Sequence, residues 1–102
     1  MSRRHSPPAI SRDSLVCHSP GIDSAPIDDE LVMISQRADA YYGLDPIGRH
    51  IWELLRAPIR VRDLCELLKQ RYDVSAARCE SDVLEFLDEL YRVGLIGADA
   101  VD

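Results

Sequence analysis

The chain has 102 residues, 46% of them hydrophobic and 29% charged, with a formal net charge of −6. That composition describes one small globular domain with a modest core, not a disordered chain. The acidic balance argues against general nucleic-acid binding, which starts from a basic footprint.

Residues 1–12 (M-S-R-R-H-S-P-P-A-I-S-R) are basic, rich in Ser and Pro, and without periodicity, so they predict a disordered tail. They hold arginines but no apolar run, unlike a signal peptide. No stretch of the chain is long and apolar enough to span a membrane. Ser14–His18 reads as a first short strand, ended by the turn chemistry of Ser19-Pro20-Gly21. Residues 19–29 read as a long polar connection. Leu31–Ile34 is apolar on both faces, which predicts a second strand covered on both. Gln36–Asp39 is a loop without glycine, and Ala40–Leu44 is the third strand. These last two strands suit an antiparallel hairpin with a loop of about four residues.

Asp45-Pro46 starts the first helix, with an N-cap acceptor followed by proline at the first helical position. Ile47, Ile51, Trp52, Leu54 and Leu55 form its apolar stripe, and Ala57-Pro58 ends it. The second helix covers roughly 61–72, with Val61, Leu64, Cys65, Leu68 and Tyr72 on one face. Arg60 is a poor cap for it. Ser75 caps a third helix over roughly 76–93, whose stripe is Cys79, Val83, Phe86, Leu87 and Leu90. Gly94 suits the position just past its end, with Leu95-Ile96 folding back as the hydrophobic contact. The expected class is α+β: a three-stranded antiparallel sheet followed by a three-helix, winged-helix-like bundle. The domain spans 13–97, and 98–102 is a short acidic end.

Reactive chemistry is missing from this pattern. Cys17, Cys65 and Cys79 are odd in number and have no paired short spacing, so they form neither a disulfide framework nor a zinc site. Cys65 and Cys79 lie on apolar helical faces, where a reduced cysteine behaves as a small hydrophobe. A reducing cytoplasm is the expected location. His5 lies in the tail, His18 ends a strand, and His50 sits opposite the apolar stripe at a solvated position. Cys17 and His18 are adjacent strand residues pointing to opposite faces, so they do not form a dyad. No glycine-rich phosphate loop or nucleophile elbow occurs. The reading is no enzyme, no cofactor and no metal.

Two binding classes remain. A winged-helix DNA-binding regulator would read DNA with its third helix, but that helix carries Glu80, Asp82, Glu85, Asp88 and Glu89 against Arg78 and Arg92. Phosphates would repel it. The other class binds a protein or peptide, either as a general adaptor or as a peptide receptor. A small sheet has exposed edges, and Ala40-Tyr41-Tyr42-Gly43-Leu44 is a candidate edge. Gly43 lets another backbone approach, unless Tyr41 and Leu44 are core and Gly43 only a bulge. The first turns of the third helix offer Arg78, Cys79, Asp82, Val83 and Phe86 as an opposing wall. A guest peptide would add a strand by main-chain hydrogen bonds and place apolar side chains beside Phe86 and Val83.

Three blocks carry a family resemblance: Y-Y-G-L-D-P-I-G-R-H-I-W-E-L-L from Tyr41, V-R-D-L-C-E-L-L-K-Q-R-Y-D-V from Val61, and D-V-L-E-F-L-D-E-L-Y-R-V-G-L-I from Asp82. In order and spacing they resemble the PqqD family, also called the RiPP precursor peptide recognition element, over roughly residues 14–96. The resemblance implies three antiparallel strands followed by three helices. It implies binding of the leader segment of a ribosomally made precursor peptide as a strand added to the third strand. Its partners would be that leader and a leader peptidase of the transglutaminase-like cysteine type, or another modifying enzyme. Stand-alone members of this kind occur in lasso peptide pathways, and members exist as monomers or dimers. By position, Ala40, Tyr41, Tyr42 and Leu44 match the leader-pairing strand, and Arg78, Cys79, Asp82, Val83 and Phe86 match the helical wall. Asp45, Pro46, Gly48, Ile51 and Trp52 match a structural junction.

Overall fold

The computed structural model describes residues 10–35 and 40–99. Most of the expected tail, the hairpin loop at 36–39 and the last three residues lie outside that range. In chain order the elements are β1 (Leu15–His18), β2 (Ile22–Ile27), β3 (Glu30–Ser35), β4 (Ala40–Leu44), α1 (Pro46–Leu54), β5 (Ile59–Arg60), α2 (Val61–Arg71), α3 (Ala76–Arg92) and β6 (Ile96–Asp99). The α+β class and the three helices stand. The single three-stranded sheet is corrected to two antiparallel sheets of three strands, ordered β5-β1-β6 and β2-β3-β4.

The correction has two sources. Residues 19–29, expected as a connection, contain β2, which pairs with β3 from Ile22↔Ser35 to Ile27↔Glu30. Pro26 concealed it, because proline withholds a ladder donor. The strand is at the sheet edge, where proline is tolerated. Asp28, in the two-residue turn, takes a left-handed φ of 56°, a conformation for which Asp is enriched among non-glycine residues. The first strand also joins other partners than expected. β1 pairs with β5 through Leu15↔Arg60 and with β6 through His18↔Ile96. Leu95-Ile96 therefore does more than fold back: it leads into a strand reaching Asp99.

The expected β3–β4 hairpin is present, with Leu31↔Leu44, Met33↔Tyr42 and Ile34↔Tyr41 opposite one another. Leu31 and Met33 are buried, whereas Ile34 on the other face is 42% exposed. The described residues thus cover this strand on one face, not on both. Ile10, placed in the tail by composition, is buried in the core.

Local chemistry accounts for the helix ends. Asp45 Oδ1 accepts from Gly48 N at 2.7 Å, and Ser75 Oγ accepts from Arg78 N at 3.2 Å. Arg60 gives no side-chain cap. The carbonyls of Ser14 and Arg12 replace it, accepting from Val61 N at 3.0 Å and Arg62 N at 2.9 Å. That satisfies two of the four orphan N–H groups of a helix start with the segment before β1. At the far end of α3, Gly94 has φ 83°. Leu95 N reaches Leu90 O at 2.9 Å and Gly94 N reaches Tyr91 O at 3.1 Å, the paired bonds of a Schellman ending.

Val16, Met33, Leu55, Leu64, Leu87 and Leu95 are among the fully buried side chains joining both sheets to the helices. Trp52 belongs to this core. His18 stacks on it, ring centroids 3.7 Å apart and planes 13° from parallel.

Candidate functional site

β4 has β3 on one side and, among the described residues, no strand on the other. Its outer row of backbone N–H and C=O groups is therefore open to a further strand. The strand continues through Leu44-Asp45 directly into α1, so the open edge ends at a groove.

That groove holds about 490 Å³. Its floor is Leu44 with Ile47, Gly48 and Ile51 of α1. Leu68 and Tyr72 close it at the end of α2, with Val74 from the connection to α3. Cys79, Asp82, Val83 and Phe86 of α3 form the facing wall, and Glu30 and Gly43 stand at the mouth. The lining is mostly apolar with a few polar groups, the usual make-up of a recognition cleft.

Five residues expected from sequence meet here: Leu44, Cys79, Asp82, Val83 and Phe86. Arg78 sits at the exposed rim, its Nε 3.1 Å from Asp82 Oδ2. Tyr42 is half-buried opposite Met33 and packs against the core. Tyr41 is not on the groove lining. It stands opposite Ile34 on the outward face of the sheet and is 76% exposed. Ala40 is in β4 opposite Ser35.

Several groove residues escaped the sequence reading. Ile47 was assigned to the core stripe of α1 but is 51% exposed. Ile47 shares the helical face of the buried Ile51, so spacing alone carried no signal of its exposure. Gly48, taken as structural, has no side chain because the space is filled. A Cβ there would lie 3.3 Å from Phe86 Cζ and 3.5 Å from Leu44 Cβ. A glycine inside a helical pattern often marks such an approach. Tyr72, expected on the core face of α2, is half-buried against the core and also lines the groove. Its hydroxyl lies 3.3 Å from His50 Nδ1, joining the end of α2 to α1. His50 is therefore half-buried rather than fully solvated.

Electrostatics divide the site into a dry wall and an acidic mouth. Burial, with the neighbouring Cys79 thiol second, pushes the Cys65 thiol up to about 12. Cys79 Sγ lies 3.8 Å from Cys65 O. The Cys65 thiol so placed stays protonated and packs as an apolar group. At the mouth, Asp45 is engaged with Gly48 N and Asp82 with Arg78. Among the described residues no group of three His, Cys, Asp or Glu is placed to hold a metal, and no helix is long and apolar enough to cross a membrane.

A family model described as Coenzyme PQQ synthesis protein D (PqqD) matches residues 30–96. That segment contains β3, β4 and all three helices, hence every part of the groove. Among solved structures, the chain is similar to TbiB1 in complex with the TbiA(beta) leader peptide. The identity is 32% and the TM-score 0.74, with 83% of this chain and 99% of that one covered. It is also similar to the solution NMR structure of the PqqD truncation of Methylobacterium extorquens PqqCD, described as a functional, stand-alone RiPP recognition element. There the TM-score is 0.74 at 20% identity, with 88% of this chain and 96% of that one covered. At that identity the likeness bears on the fold alone. No curated protein matches the chain.

Proposed function

This chain belongs to the PqqD family, and from that premise we propose that it is a non-catalytic leader-recognition protein of ribosomal peptide natural-product biosynthesis. It takes the leader segment of a precursor peptide as a strand added to the outer edge of β4. Alternate leader side chains enter the groove between α1 and α3. The protein then presents the precursor to a leader peptidase or modifying enzyme. The observation that carries this reading is the open β4 edge running into an apolar groove. The likeness to TbiB1, whose structure holds a leader peptide, supports it.

Micromolar binding requires about −8 kcal/mol. Two buried aliphatic or aromatic side chains contribute about 1.5–3 kcal/mol each, and strand hydrogen bonds add about 1 kcal/mol each before the ordering cost of the peptide.

We read the pathway as lasso peptide biosynthesis and the enzyme partner as a transglutaminase-like cysteine peptidase, in the cytoplasm. The helical half is read as winged-helix-like, with the groove rather than the acidic outer face of α3 as its binding surface.

Fluorescence polarisation with the labelled leader of the precursor encoded beside this chain's gene tests the reading. Phe86→Ala and Asp82→Arg should each weaken binding, since both residues form the α3 wall. Unchanged affinity in both variants would remove the groove from the mechanism.

A further inference from the structure

The mouth of the groove carries a carboxylate whose position suits one kind of guest residue. β3 begins at Glu30, and Val32 stands opposite Gly43. Leu31 and Met33 face the core, so alternation puts Glu30, Val32 and Gly43 on the outward face. Glu30 reaches diagonally across the pair. A Cβ on Gly43 would lie only 2.8 Å from Glu30 Oε1. The carboxylate therefore rests on bare backbone at the open edge of β4, in space that any other residue at 43 would occupy.

The neighbouring carboxylates are engaged. Asp45 accepts from the first turn of α1, and Asp82 pairs with Arg78. None of the ion pairs among the described residues includes Glu30.

A strand added to β4 must place one residue opposite Gly43, about 4.8 Å away. Directly paired residues project to the same face. That guest side chain emerges beside the Glu30 carboxylate, with no side chain from β4 between them. Its two neighbours in the guest project to the other face, the one Leu44 shares with the groove.

Resting on the strand-addition reading above, we propose that Glu30, laid across Gly43, selects a basic residue in the leader. The preferred guest carries Lys or Arg opposite Gly43, between two residues whose side chains face the groove. A lone apolar groove would accept many strands; the carboxylate adds register, because a one-residue slip moves the cation to the opposite face.

The probe is a set of synthetic, fluorescein-labelled leader peptides, the parent and versions with each Lys or Arg singly replaced by Gln, titrated by fluorescence polarisation. Glu30→Gln should weaken the parent about fivefold, in the range of a partly solvated, charge-assisted contact. One Gln-substituted peptide should bind wild type about fivefold more weakly and be indifferent to Glu30→Gln. Glu30→Lys should prefer a version of that peptide with Glu at the same position. Gly43→Ala, which displaces the carboxylate but spares the exposed surface, should reduce the preference for the basic residue while the far-UV circular dichroism stays unchanged. If the parent binds wild type and Glu30→Gln with equal affinity, the cation site is refuted and the groove reading survives. If the parent does not bind wild type, both fall.

Discussion

Gly48 of α1 and Phe86 of α3 meet where the glycine lacks a side chain: a Cβ on Gly48 would stand 3.3 Å from Phe86 Cζ. The floor and the wall of the groove come close here, and a methyl group at 48 would press on the phenyl ring. Gly48→Ala gains helix propensity of up to about 1 kcal/mol, but its Cβ would stand 3.3 Å from both Phe86 Cζ and the capping Asp45 Oδ1, so both must give by a few tenths of an ångström. The expected outcome is a folded protein with a urea midpoint near that of wild type and weaker leader binding. Titration of the same labelled leader into both proteins checks it; equal affinity would mean the ring does not shape the site.

The β2-β3-β4 sheet has two edges, and only β4 adjoins the groove. Adding leader should slow amide hydrogen exchange at residues 41–44. It should leave residues 23–27 of β2 as they were, where Pro26 lacks an amide hydrogen. Hydrogen-exchange mass spectrometry with peptides covering each strand separates the two edges. Protection confined to β2 would relocate the guest.

Asp45 ends the open edge of β4 and caps the helix that floors the groove. Removing its bond to Gly48 N in Asp45→Ala should cost about 1 kcal/mol of stability in urea denaturation. Asp45→Asn keeps an acceptor oxygen and should recover most of that loss. Because the first turn of α1 carries Ile47 and Gly48, the alanine variant should also bind leader more weakly than the asparagine variant.

His18 should make folding sensitive to acid. Its Nε2–H donates to the Trp52 carbonyl at 2.6 Å while the ring stacks on the indole. Burial holds its pKa below the usual 6.5, the Trp52 hydrogen bond pulls the other way, and Arg56 lowers it further. The unfolded chain therefore takes up the proton more readily than the native one. The contribution of neutral His18 is complete above about pH 6.5 and is lost as pH falls below 6.5 toward the native pKa. Thermal midpoints of wild type should drop over that interval. His18→Gln should be less stable at neutral pH and should lack this part of the slope; an unaltered slope would assign the acid sensitivity to other groups.

Much of the helical half could be read from residues alone, because its signals are local. Asp45-Pro46, Ser75 and Gly94 mark helix ends through bonds spanning three to five residues, and all three behave as their types predict. Of the expected stripe, Cys79, Val83, Leu87 and Leu90 are buried as the spacing requires, while Phe86 is only half-buried at the groove. The β half was legible only where it alternates strongly, as in β3. Ile22–Ile27 carries Asp, Ser and Pro in an edge strand, and no local preference separates such a strand from a loop.

Local signals in the chain were enough for the α+β class, the three helices, the β3–β4 hairpin and, of the expected α3 wall, Cys79, Asp82, Val83 and Phe86, with Arg78 left at the rim. They sufficed because periodicity and capping act over short separations. Long-range packing settled the rest: which strands share a sheet, that β4 has an open edge among the described residues, that Tyr41 faces away from the groove, and that Ile47 and Gly48 line it. Those facts depend on contacts between residues far apart in the chain, such as Leu15 with Asp99 and Gly48 with Phe86. Their side-chain types are equally at home in several arrangements, and packing selects one.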